Sequence, residues 1–294
     1  MIEKNQKTAI SYALIAVLLW STVATAFKLA LNQLTPLQLM FYSSVFSWLF
    51  LLACLLKQRQ LRAVIPAFKS QPWLYLKLGS INPFLYYLVL FKAYDLLPAQ
   101  QAQALNYTWA ITLSLLAVPM LGQRLKRADI LALSLAYFGA LIISTKGQFT
   151  ALNFDSPLGV GLALLSTLLW SLYWIFNTKN KDQPILSLFI CFSIGLVLIA
   201  LLASWQRAWY LPDTYGIAAA AYVGLFEMGL TFVLWLMAMR TAENTASVSN
   251  LIFISPFLSL IFIATLLGEA IHGATLVGLG FIVTGLICQK MYKK

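Results

Sequence analysis

The chain has 294 residues, of which 61% are hydrophobic and 10% charged, and its mean hydropathy is +0.82. A soluble fold of this length needs more polar surface, so the composition excludes one or two water-soluble domains. The formal net charge of +11 invites a nucleic-acid reading. Its distribution removes that reading, because the basic residues are dealt out loop by loop rather than gathered into one patch.

Apolar runs of about 20 residues match the length needed to cross a hydrocarbon core roughly 30 Å thick. Ten such spans are read in chain order, near 9–30, 36–56, 73–94, 98–121, 128–145, 157–177, 184–205, 215–239, 243–267 and 271–290. The first is too long for a signal-peptide core and lacks a small-residue cleavage site, so it is expected to be a retained span. With the N-terminus on one side, that side collects 15 of the Lys and Arg residues, and the other side receives Lys28, Lys92, Lys146 and Arg207, with Lys77 inside the third span. This positive-inside bias places both termini in the cytoplasm and favours an even number of spans.

The chain is also written twice. Leu18-Leu19-Trp20-Ser21 of span one returns as Leu168-Leu169-Trp170-Ser171 of span six, and each is followed by a proline-led span at Pro36 or Pro184. The stretch Ala104–Ala110 of span four aligns with Asn250–Pro256 of span nine, and Leu121-Gly122 with Leu267-Gly268, all 146 residues apart. Asn82 of span three matches Glu227 of span eight at an offset of 145. Two halves of five spans each must lie upside down relative to one another. The expectation is therefore an all-α integral membrane protein of ten transmembrane helices, built as two inverted five-helix repeats over 1–147 and 148–294, an architecture typical of alternating-access carriers.

Small residues in span five (Ala136, Gly139, Ala140) and span ten (Gly273, Gly278, Gly280, Gly285) read as close-packing helix faces, a scaffold or a contact for a second copy. Pro83, Pro119 and Pro256 fall inside spans; a proline there frees a backbone carbonyl and permits a bend. Pro83 and Pro256 are read as hinges. Cys54, Cys191 and Cys288 are isolated, and His272 is the sole histidine. No metal or cofactor site follows from them.

Glu227 is the sharpest signal, since an ionised side chain near mid-span costs roughly 2.5–3.5 kcal/mol on insertion scales and is maintained for an ion path, a proton relay or a substrate amine. Several spans carry polar and aromatic residues at helical spacing: Glu227, Thr231 and Trp235 on span eight; Trp170, Tyr173, Trp174 and Asn177 on span six; Asn82 and Tyr86 on span three; Gln103 and Asn106 on span four; Trp20 and Lys28 on span one. Lipid would punish the amides and the carboxylate, so these faces are expected to converge on a cavity that also takes in Tyr107, Trp109 and Asn250. Trp73, Tyr75, Trp205, Trp209 and Tyr210 suit an interfacial aromatic belt instead. Lys28 and Lys92 lie toward the outer ends of their helices, where they either snorkel or serve a gate or a substrate carboxylate, with Asp95 as a partner for Lys92.

The Leu-Leu-Trp-Ser pair, the two five-span halves and the Leu267-Gly268-Glu269 ending of span nine resemble the drug/metabolite transporter superfamily in its EamA-like branch. Asn106-Tyr107-x-Trp109 is similar to the Asn-Tyr-x-Trp-Pro stretch of bacterial aromatic amino-acid exporters in that superfamily, with Ala110 where the proline would stand. Gln123 replaces the Glu269-equivalent acid in the first half. The resemblance implies spans one to four and six to nine around a central cavity, five and ten at the rim, and proton-linked efflux of metabolites or amino acids by alternating access. A passive facilitator is the alternative. An intramembrane enzyme is disfavoured, because it needs gathered acids or metal ligands and the acids here are mostly solitary.

Overall fold

The computed structural model describes residues 4–122, 127–148, 156–177, 179–243, 248 and 251–291. The described residues are mostly helical, without strands. In chain order the helices are α1 (Gln6–Leu31), α2 (Pro36–Lys57), α3 (Val64–Ser70), α4 (Pro72–Gly79), α5 (Tyr86–Leu96), α6 (Ala99–Asn106), α7 (Trp109–Leu121) and α8 (Arg127–Ser144). They continue as α9 (Pro157–Asn177), α10 (Pro184–Trp205), α11 (Thr214–Phe226), α12 (Leu230–Thr241), α13 (Ser255–Phe262) and α14 (Gly273–Met291). Seven helical stretches are long and apolar enough to cross a membrane: Gln6–Leu31, Pro36–Lys57, Pro72–Leu96, Ala99–Leu121, Pro157–Asn177, Pro184–Trp205 and Thr214–Met239. Ile130–Ser144, Ser255–Leu267 and Gly273–Cys288 are apolar but shorter.

Local chemistry sets the ends of these helices. Thr35 and Gln38 form a reciprocal capping box at the start of α2, with bonds of 3.3 and 3.0 Å, and Pro36 occupies the first turn, where its missing N–H costs nothing. Asp213 caps α11 by accepting from Gly216 N at 2.7 Å. α2 and α10 each finish on a Gln-Arg dipeptide whose arginine is left-handed, with φ of 55° at Arg59 and 51° at Arg207. Gln60 N then bonds Leu55 O at 3.0 Å and Ala208 N bonds Ala203 O at 2.9 Å, the same Schellman closure twice. Gly122 (φ 67°) and Gly268 (φ 66°) likewise turn the chain in the left-handed region after α7 and after the ninth span.

Four expected spans are interrupted. Span three breaks between α4 and α5 in a π-helical stretch, Ser80–Leu85, where Asn82 has φ −132° and ψ 117°. Pro83 sits in that break, with a cis bond to Asn82. Span eight breaks at 227–229, where Glu227 ends α11 and Gly229 precedes α12 with φ −114° and ψ −90°. Span four turns at Tyr107 and Thr108 between α6 and α7. In span nine a 3-10 turn, Leu251–Ile254, precedes α13, so Pro256 lies in the first turn of a helix rather than in a helix interior.

The chain forms two compact units, each drawing on both halves of the sequence. One comprises Met1–Phe84 and Lys181–Leu267, the other Leu85–Asn180 and Gly268–Lys294. In the first unit α1 packs on α11, α12 and α13, while α2 lies against both α10 and α11, and α10 reaches α4. In the second unit α9 packs on α5, α6 and α7, and α8 runs along α14. The α8–α14 contact is backbone-close: a Cβ on Gly139 would lie 2.4 Å from Gly278 O, and one on Gly278 would lie 2.5 Å from Gly139 O. Small residues therefore let these helices meet without intervening side chains, as membrane helices require where packing drives association.

Two glycines ahead of the breaks lie against neighbouring backbone. A Cβ on Gly79, at the end of α4, would meet Cys191 O at 2.8 Å and Ile194 Cβ at 2.8 Å on α10. On Gly224, near the end of α11, it would meet Ser43 O at 2.3 Å and Phe46 Cβ at 2.9 Å on α2. These partners occupy matching places in the two halves. Gly195 adds a further close approach in the same unit, since a Cβ there would lie 2.5 Å from Pro83 Cδ.

Candidate functional site

In the first unit the polar residues gather at the helix breaks. Asn82 is 1% exposed, and its Oδ1 has no hydrogen-bond partner among the described residues. A carbonyl oxygen buried in this way forfeits solvation without compensation. Glu227 is half-buried and terminates α11, with its own N–H bonded to Val223 O at 2.9 Å. A helix C-terminus carries partial negative charge, so a carboxylate there is mildly disfavoured by the helix end. Thr231 bridges the break by donating its hydroxyl to Phe226 O. The expected i, i+4, i+8 stripe of Glu227, Thr231 and Trp235 is therefore not one continuous helix face.

Trp20 of α1 lies against α12, its ring 5.7 Å from Phe232 and 5.5 Å from Trp235. Ser21 Oγ sits 3.3 Å from Ser255 Oγ at the start of α13, and Thr22 Oγ1 is 2.6 Å from Tyr222 OH on α11. Lys28 occupies the last turn of α1, half-buried.

In the second unit an aromatic ladder runs along α9. Trp170 stacks on Tyr86 of α5 at 4.6 Å and on Tyr173 at 5.4 Å, and Trp174 meets Trp170 edge-on at 5.8 Å. Tyr86, Trp170 and Tyr173 are buried. Trp174 is half-buried, and its indole N–H is enclosed with no acceptor among the described residues. Asn106 ends α6 and donates from Nδ2 to Ser166 Oγ at 2.9 Å. Tyr107 lies in the turn after it, and Trp109 opens α7 with its carbonyl accepting from Ser171 Oγ at 2.9 Å. Lys92 makes an exposed ion pair with Asp95 at 2.5 Å. Asn250 lies outside the described residues.

Two residues behave otherwise than their sequence context implies. Tyr75, grouped above with an interfacial belt, is fully buried and donates its hydroxyl to Asp182 Oδ2 at 2.6 Å. Trp73 and Trp205, by contrast, are largely exposed. Glu269 appears above only as part of a motif, and its work is structural. Its carboxylate accepts from the N–H groups of Ala99 at 3.0 Å and Gln100 at 3.4 Å, capping α6. Gln100 returns the contact, donating to Ala270 O at 2.9 Å and accepting from His272 N and Thr275 Oγ1 at 3.1 and 2.8 Å. An acid after a left-handed glycine, together with a proline-led helix start elsewhere, is a signal that a search for caps would have found.

Helical stretches of spanning length, helix breaks lined by polar groups and a buried carboxamide acceptor are features of a multi-pass membrane transporter. The sequence profile of the EamA-like transporter family matches residues 7–145 and again 157–289, so the chain belongs to that family. A protein of Archaeoglobus fulgidus described as an uncharacterized transporter is 24% identical over 284 residues, covering 93% of this chain and 94% of its own. Another of the same description from Clostridium kluyveri is 24% identical over 196 residues, covering 64% of this chain and 62% of its own. A solved crystal structure shares the fold with a TM-score of 0.67 at 21% identity, covering 98% of each chain.

Proposed function

We propose that this chain is a secondary active transporter that exports small organic metabolites, amino acids or related compounds, across a bacterial cytoplasmic membrane by alternating access. Two inverted five-helix repeats, 1–147 and 148–294, supply its ten spans, with both termini in the cytoplasm. The double match of the family profile and the equivalent glycine contacts at Gly79 and Gly224 support that arrangement.

The observation that carries the reading is the pair of interruptions at matching places, one holding Asn82 and the other Glu227. Interrupted spans present carbonyls, half-helix ends and polar side chains to solutes inside the membrane, where continuous helices present none. Asn82 is suited to a substrate donor, and Glu227 to a proton or a substrate amine. Trp20 and Lys28 belong to the same unit as Asn82 and Glu227, while Asn106, Tyr107, Trp109 and Trp174, with Trp170, Tyr173 and Lys92, form a polar and aromatic group of the second unit; Asn250 is assigned to the substrate path from its sequence position alone. Pro83 and Pro256 mark where the broken spans bend.

Comparative metabolite profiling of the medium around cells expressing wild type or Glu227→Gln tests the proposal. Wild type is expected to enrich a narrow set of compounds outside, with at least a tenfold loss in the variant at equal membrane abundance. Equal enrichment by both would remove Glu227 from the mechanism, and no enrichment by wild type would remove export.

A further inference from the structure

The repeated Leu-Leu-Trp-Ser signature makes the same pair of contacts in both units. Its tryptophan lies on the half-helix that follows a break: Trp20 against Phe232 of α12 at 5.7 Å, and Trp170 against Tyr86 of α5 at 4.6 Å. Its serine hydroxyl bonds the carbonyl one turn back in its own helix, Ser21 Oγ to Val17 O at 2.6 Å and Ser171 Oγ to Thr167 O at 2.7 Å, and also touches the start of a second helix, with Ser21 Oγ 3.3 Å from Ser255 Oγ on α13 and Ser171 Oγ 2.9 Å from Trp109 O on α7. Ser21 and Ser171 are both fully buried, so these contacts between helices are shielded from water. In each case the partners come from the other half of the sequence. The same arrangement accompanies both copies of the signature.

Resting on the transport reading above, we propose that each signature is a clamp: α1 carries α12 and α13, and α9 carries α5 and α7, as single bodies when the breaks flex. Trp20, Ser21, Trp170 and Ser171 are then positioning residues, acting through the half-helices they hold. The chemistry favours this role for Trp170, whose ring stacks on both Tyr86 and Tyr173. Neighbouring residues that grip two helices at once fix their relative angle, which one contact cannot do. The breaks then become the compliant points.

Hydrogen exchange on the full chain in nanodiscs tests the clamp whatever solute is carried. Trp170→Leu combined with Ser171→Ala is expected to speed exchange in α5 and α7 at least tenfold and to leave α2 and α10 unchanged. Trp170→Phe, which keeps a stacked ring, restores most of the protection. Unchanged exchange in α5 and α7, or equal acceleration throughout the chain, overturns the proposal.

A second arm reads motion. In a background with Cys54, Cys191 and Cys288 replaced by serine, Ser21→Cys with Ser255→Cys forms a disulfide across the α1–α13 contact. Proteoliposomes loaded with the 20 proteinogenic amino acids then report release by oxidised and reduced protein beside wild type. Helices that move as one body tolerate the link, so oxidised protein should retain at least half the wild-type rate. Arrest on oxidation with recovery on reduction overturns the clamp. Failure of the transport reading shows separately, as no release by wild type, and hydrogen exchange then decides the clamp.

Discussion

Removing the carboxylate of Glu269 offers a quantitative test of how the second unit is held together. The side chain closes the N-terminus of α6 through one good bond, 3.0 Å to Ala99 N, and one long bond, 3.4 Å to Gln100 N. Ala99 and Gln100 are almost completely buried, so water cannot take over either donor. Losing a charge-assisted bond at a buried donor costs about 1.5–3 kcal/mol, and the lost favourable charge at the helix N-terminus adds about 0.3–1 kcal/mol. Counting little for the long bond, Glu269→Ala should destabilise the protein by about 2–3 kcal/mol. Glu269→Gln keeps one acceptor oxygen and should cost about 1 kcal/mol. Equilibrium unfolding in mixed micelles measures both, and hydrogen exchange at the Ala99 and Gln100 amides localises the effect. A loss below about 0.5 kcal/mol for Ala, or equal losses for Ala and Gln, would refute the reasoning.

Two further substitutions separate backbone contact from composition. Gly139→Ala places a methyl group 2.4 Å from Gly278 O, so α8 and α14 must part, at a cost of about 1–3 kcal/mol. Gly280→Ala meets nothing within 4 Å and should be neutral or stabilising by up to about 1 kcal/mol; reversal of that order in an unfolding titration would contradict the packing. Arg59→Gly relieves a left-handed arginine, a gain of about 1–2 kcal/mol partly offset by about 0.5–1 kcal/mol of glycine entropy. A small net stabilisation is expected, and a loss would show that the arginine side chain outweighs its backbone.

Most of the helices were legible because apolar run length alone defines a spanning segment. Their interruptions were less so. Asn82-Pro83 carried a visible signal in its proline, and the residues 227–229 carried one in Gly229, but a hydropathy window averages over three or four polar positions. The Trp-Ser pairs were visible as repeats, while their contacts were not. Ser21 meets Ser255, and Ser171 meets Trp109, partners distant in sequence and of different residue types. Tyr75 shows the opposite difficulty: near a span end its composition suits an interface, yet Asp182 in the loop before α10 draws it inside. Glu269 was noticed for its motif rather than its bond, since the donors it caps belong to a helix 170 positions away.

The glycine contacts at Gly79 and Gly224 have a mechanical consequence. Because α4 rests on α10, α10 on α2 and α2 on α11, four elements stand in series between the interruption at Asn82 and the one at Glu227. The first and last joints of that train are backbone against backbone. Side chains can absorb a displacement by changing rotamer, whereas peptide groups in direct contact have no such slack. A displacement of α11 therefore presses directly on the backbone of α2, and one of α4 on the backbone of α10, while the joint between α2 and α10, which includes the Trp48–Phe189 stack, is the one with room to give.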